Sequence, residues 1–168
     1  LSFGELLEME QIGSDQGLLA APVKRRRMVV APAERMDVVF DFSGLAGQKV
    51  LLKTDGFELM QFRVAARGGA DTGSLPATSS LPAALTTVKR VPESAAVRTR
   101  RLTLDETLNL MDQSMGMTLN KTLWHMPVTE KPVIGTTEIW ELVNLKEDTH
   151  PIHLHLVKFQ LLDRRNFD

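Results

Sequence analysis

Cysteine is absent from the 168 residues, which excludes disulfides, thiolate metal sites and cysteine nucleophiles, and leaves the redox compartment unreadable from composition. Net charge is nearly absent too. Twenty Lys+Arg against 21 Asp+Glu give a formal charge of −1, so no global field draws nucleic acid or an acidic membrane surface. Long apolar runs are also missing: no stretch approaches the roughly 20 residues that span a bilayer. The first residues, Leu1 to Glu10, mix acidic with apolar side chains instead of forming a basic-then-apolar leader. A soluble protein is expected, with neither nucleic acid nor membrane as partner, and with its location otherwise undetermined.

What is present is a 43% hydrophobic chain, enough to bury a sizeable core. From Gln11 to Val64 it reads as short strands divided by turns: Met28 to Ala31, Asp37 to Phe42, Lys49 to Thr54 and Leu59 to Val64, with Ser43, Gly44 and Gly47 between them. Beyond Ala66 the composition shifts to Gly68, Gly69, Gly73, Pro76 and Pro82 without an apolar period, as in a linker. After it, Arg98 to Leu104, Thr136 to Asn144 and an apolar stretch from His150 to Leu162 read as strands. The expected architecture is all-β, with two bodies of about 65 to 70 residues each, small for independent cores.

Three of the four histidines fall within six residues, His150-Pro151-Ile152-His153-Leu154-His155. In an extended strand His153 and His155 share a face, while Ile152 and Leu154 take the other. His150 sits at an odd spacing from them, and Pro151 interrupts regular pairing, so His150 should serve a different site. Neutral imidazole suits copper, zinc, iron and nickel alike. A hydrolytic zinc site is the generic alternative, with Asp148 or Asp163 as base. Backbone-bonded structural histidines are the blander one.

Together with Gly135 to Asn144, the run from His150 to Arg164 resembles the third cupredoxin domain of the multicopper oxidases, notably spore-coat laccases, bilirubin oxidases and phenoxazinone synthases. Trp124-His125-Met126-Pro127-Val128-Thr129-Glu130 is similar to the strand before that motif, and Ile12 to Asp15 with Ala31 to Val38 to the end of the second cupredoxin domain. The resemblance implies Greek-key cupredoxin barrels: 1–66 as the later part of domain two, 67–97 as linker and 98–168 as the early part of domain three. It implies copper as cofactor, with His150 a ligand of type 1 copper, His153 of type 2 and His155 of one type 3 copper. It also implies a phenolic or related aromatic reductant, with dioxygen reduced to water.

A type 1 site needs a cysteine thiolate and a second histidine, and no cysteine is present. The family's other His-x-His pairs are missing as well. An internal piece of an oxidase is therefore expected, inactive by itself, completed by further segments of the same protein or associating with itself. A noncatalytic structural or interaction fragment is the alternative. Three other features weigh less. His125, between Trp124 and Met126, reads as structural. Met111, Met115 and Met117 could dock copper(I), but flexible packing or a surface loop accounts for them. Lys24-Arg25-Arg26-Arg27 lacks aromatic interleaving and reads as a solvated strand edge.

Overall fold

The structure, a computed structural model, describes residues 1–66, 80–111 and 113–167. Eight strands and two single-turn 3-10 helices, Ser43–Leu45 and Glu93–Ala95, make the described residues essentially all-β. They fall into two compact units. One comprises residues 1–89 with 153–158, the other 90–152 with 159–168.

In the first unit, β1 (Met9–Ser14) lies between β2 (Gly17–Arg25) and β3 (Met36–Val39), antiparallel to both. A two-residue loop, Asp15-Gln16, joins β1 to β2. A register shift between Gln11 and Gly13 marks a bulge in β1 against both neighbours. A second antiparallel pair, β4 (Lys49–Thr54) and β5 (Phe57–Arg63), turns through Asp55-Gly56. Gly56 has φ +94°, a conformation that side chains resist, so glycine is the fitting residue in this tight hairpin. Phe3, Met9, Met28 and Val50 form the buried core, surrounded by half-covered Phe40, Phe42, Leu52 and Phe62. Phe3 meets Phe40 edge to face at 5.1 Å between ring centroids, a favoured aromatic geometry.

The second unit is a three-stranded mixed sheet. Strand β6 (Ala96–Leu108) runs antiparallel to β7 (Ser114–Leu119) and parallel to β8 (Thr137–Asn144). Leu102 and Val143 are its buried apolar residues, accompanied by buried Arg100 and Thr118. The β6–β7 turn is tied by Asn109, whose Oδ1 accepts from the N–H groups of Met111 and Gln113 at 2.8 and 3.0 Å.

Several expected strands form, with different ends: Lys49–Thr54 as read, Phe57–Arg63, Ala96–Leu108 and Thr137–Asn144. Met28 to Ala31 is not a strand. Met28 instead turns inward to the core, and its N–H donates to the Leu1 carbonyl at 2.9 Å. Nor does His150 to Leu162 form one: the described residues there carry no ladder, and Leu156 has φ +67°, which breaks an extended run. Met115 and Met117 lie within β7 and not in a loop, both exposed. Of the expected 67–97 linker, 67–79 lies outside the described residues. Leu85, within the rest, donates its N–H to the Ala20 carbonyl on β2 at 2.9 Å.

Candidate metal centre

The sequence-predicted ligands lie on an irregular segment. Ile152 and Leu154 are half-buried while His153 and His155 are exposed, so the alternation expected of an extended chain survives without a sheet partner. The rings of His153 and His155 meet edge to face, 4.9 Å between centroids and 88° between planes. Two imidazoles are thus presented side by side to solvent. Val157, just beyond them, accepts a hydrogen bond through its carbonyl from the Gln16 side-chain amide in the β1–β2 loop.

His150 belongs to the second unit, whereas His153 and His155 belong to the first. The His150 side chain is about 22% exposed, and its Nε2 lies 3.9 Å from Asp148 Oδ2. That distance is too long for a hydrogen bond. Asp163, the other carboxylate considered as a base, faces Arg165 at 3.4 Å. His125 sits in an exposed turn beside Trp124, whose indole is fully exposed.

The donors present, imidazole nitrogens, are of a type that copper accepts, and the paired rings are open to an incoming ion. Among the described residues no three His, Cys, Asp or Glu side chains converge as a complete metal set. The pair fits copper as a partial ligand set.

Sequence reasoning missed an ionic cluster in the second unit. Arg100 reaches both oxygens of Glu138 and Glu130 Oε2, the last at 2.5 Å, with Arg100 and Glu138 side chains almost wholly covered. Hydrogen bonds donated to Glu138 and then Glu130 raise the arginine's pKa, and the arginine holds the Glu138 carboxyl below its ordinary range. The only available signal was alternation in β6: Arg100 shares a face with Leu102, where an apolar residue would be expected.

Comparison with known proteins decides the family. The model of the family described as Multicopper oxidase matches residues 99–168. The Bacillus subtilis (strain 168) laccase is 39% identical over 170 residues, 94% of this chain and 32% of that protein. The chain belongs to the multicopper oxidases. The bilirubin oxidase of Albifimbria verrucaria is 32% identical over 94% of this chain and 29% of its own length. The crystal structure of a McoA multicopper oxidase variant from Aquifex aeolicus superposes with a TM-score of 0.69 at 27% identity, covering 93% of this chain and 36% of that one. The chain therefore spans about a third of the length of the curated multicopper oxidases it matches. The cupredoxin-like, all-β fold class stands on these matches and on the strand content. Among the described residues no helix is long and apolar enough to cross a membrane.

Proposed function

We propose that this chain is a copper-ligating portion of an oxidase that withdraws electrons from a phenolic or related aromatic reductant and reduces dioxygen to water. In this reading His150 is a ligand of the type 1 copper, His153 of the type 2 copper and His155 of one type 3 copper. The observation that carries it is the exposed His153–His155 pair at 4.9 Å, within a chain of this family. Bound copper would supply the one-electron redox chemistry that imidazole lacks. The chain's own residues do the holding: two neighbouring imidazoles for one copper or two adjacent ones, and a third histidine, two residues after a carboxylate, for another.

Residues 1–66 then form the later part of a second cupredoxin domain, 67–97 the linker and 98–168 the early part of a third. The family match over 99–168 supports the last assignment. The chain alone is inactive, because it has no thiolate for a type 1 site. It is completed by other segments of the same protein or by self-association, which the wide exposure of Val29, Leu110, Trp124 and Ile134 supports. No observation favours the zinc-hydrolase alternative.

Copper(II) titration followed by electron paramagnetic resonance tests the reading. The chain should show nitrogen-coordinated copper without a blue absorption band, and His153→Ala with His155→Ala should remove most of that signal. Copper binding unchanged in the double variant, or a type 1 spectrum from this chain alone, sinks it.

A further inference from the structure

Asn144 ends β8, six residues before His150. Its Oδ1 accepts from the Lys146 N–H at 3.1 Å, and its Nδ2 donates to the Asp148 carbonyl at 2.6 Å. One side-chain amide thereby ties down both ends of the bend at residues 146–148. Both bonds need an amide, since a carboxylate only accepts. The bend is fastened to β6 as well: the Leu145 N–H donates to the Leu104 carbonyl at 3.0 Å, and Lys146 Nζ lies 3.0 Å from Glu106 Oε2.

His150 leaves this bend two residues after Asp148 and is followed at once by Pro151. A residue before proline is held out of the helical region, so the ring of Pro151 narrows the His150 backbone from its C-terminal side. The Asn144-tied bend fixes the approach from the other side. Asp148, whose carbonyl Asn144 binds, is also the residue whose carboxylate lies 3.9 Å from the His150 Nε2.

We propose that Asn144 is a positioning residue for His150: its two hydrogen bonds hold the bend that aims the imidazole. This rests on reading His150 as a copper ligand. Residues that orient a metal ligand without touching the metal commonly change affinity by about ten- to a hundredfold when altered.

The test uses histidine-labelled protein and nuclear magnetic resonance of the four imidazoles, first without metal and then with copper(II) added. Asn144→Asp keeps the acceptor for Lys146 and loses the donor to Asp148. It should move the His150 signals alone and raise the copper concentration needed to broaden them by about tenfold or more. Asn144→Ser, which retains only the local bond to Lys146, is the second variant and should behave alike. Glu106→Gln, which weakens the lysine pair but leaves both Asn144 bonds, should leave His150 unmoved. Unchanged His150 signals in both Asn144 variants, or equal movement of all four imidazoles, overturns the proposal. If the Asn144 variants move His150 but copper never reaches it in the unsubstituted protein, the positioning role stands and the copper reading of His150 fails.

Discussion

Arg100 on β6 and Glu138 on β8 are joined by two hydrogen bonds, the one from Nη2 to Oε1 at 3.0 Å, with side chains 6% and 7% exposed. Trp140 Nε1 donates to the same carboxylate at 3.0 Å, and Arg100 is the ladder partner of Trp140 across the parallel pair. A one-residue slip of β8 would move its side chains to the opposite face and separate these groups, so the pair specifies register as well as stability.

Removing one partner should therefore cost far more than removing an exposed pair on the same two strands. Glu138→Ala leaves a covered guanidinium with Glu130 alone, and the melting temperature should fall clearly. Glu141→Ala, which breaks the exposed Arg101 contact at 3.6 Å, should change stability by no more than about 1 kcal/mol. Replacing Arg100 and Glu138 together with Met and Leu should recover most of the loss, since well-packed apolar substitutes for a covered ion pair are often neutral. Thermal denaturation by circular dichroism decides. Equal losses for Glu138→Ala and Glu141→Ala would refute the ranking.

The same cluster sets an acid limit. Folding lowers the Glu138 pKa through Arg100, and the Glu106 pKa through hydrogen bonds from Ser114 and Lys146. A carboxyl lowered by folding contributes stability that is fully present above its unfolded value, about 4.3, and is lost as pH falls through the lower folded value. Both tryptophans, Trp124 and Trp140, lie in the second unit, so indole fluorescence reports its unfolding. The urea midpoint should hold steady from neutral pH down to about 5 and then decline. In Glu138→Gln the decline should be shallower. A midpoint that rises on acidification would contradict the sign.

The histidine motif was legible because donor type and spacing are local properties, and the His153–His155 pairing follows from two-residue alternation even without a sheet. Its strand was not. Val157, Phe159 and Leu161 have strand-like composition, but a strand exists only with a partner, and the positive φ of Leu156 is invisible in a leucine. Strand β7 was hidden for the opposite reason: Gly116 is a poor strand former and its neighbours Met115 and Met117 are not the β-branched or aromatic residues that mark a strand, yet pairing with β6 brings the segment into the ladder. The parallel β6–β8 pairing joins residues 40 or 41 apart, such as Ala96 with Thr137 and Leu104 with Asn144, and the Arg100 cluster joins residues 30 and 38 apart, separations that local pattern does not encode. Asn144 looked like an ordinary strand end, because its role lies in two hydrogen bonds to backbone that had first to bend.

In the first unit the Met9 side chain is about 1% exposed and packs with Phe3, Met28 and Val50. Met9→Ala should cost about 2–5 kcal/mol, as truncation of a buried side chain leaves both lost transfer energy and a cavity. Met60→Ala, at an exposed site on β5, should cost within about 0.5 kcal/mol. Because the first unit contains no tryptophan, hydrogen exchange at β1 and β4 is the measurement. Equal protection in the two variants would show that the phenylalanines carry this core without Met9.

The histidine roles separate most sharply in a full-length protein that carries this segment together with the thiolate it lacks. His150 precedes Pro151 and follows the Asn144-held bend, while His153 and His155 lie beyond the proline with their rings together. A change at one position should leave the other arrangement intact. His150→Ala should abolish the blue absorption that a thiolate-bound copper produces, along with oxidation of a phenolic reductant, while retaining the copper held at His153 and His155. Changing His153 and His155 together to Ala should keep the blue band and drop oxygen consumption to background. Absorption, copper content and an oxygen electrode, applied to both variants, give three independent readouts. Blue absorption retained in His150→Ala would remove that histidine from the type 1 site, and oxygen consumption persisting in the double variant would remove the pair from dioxygen reduction.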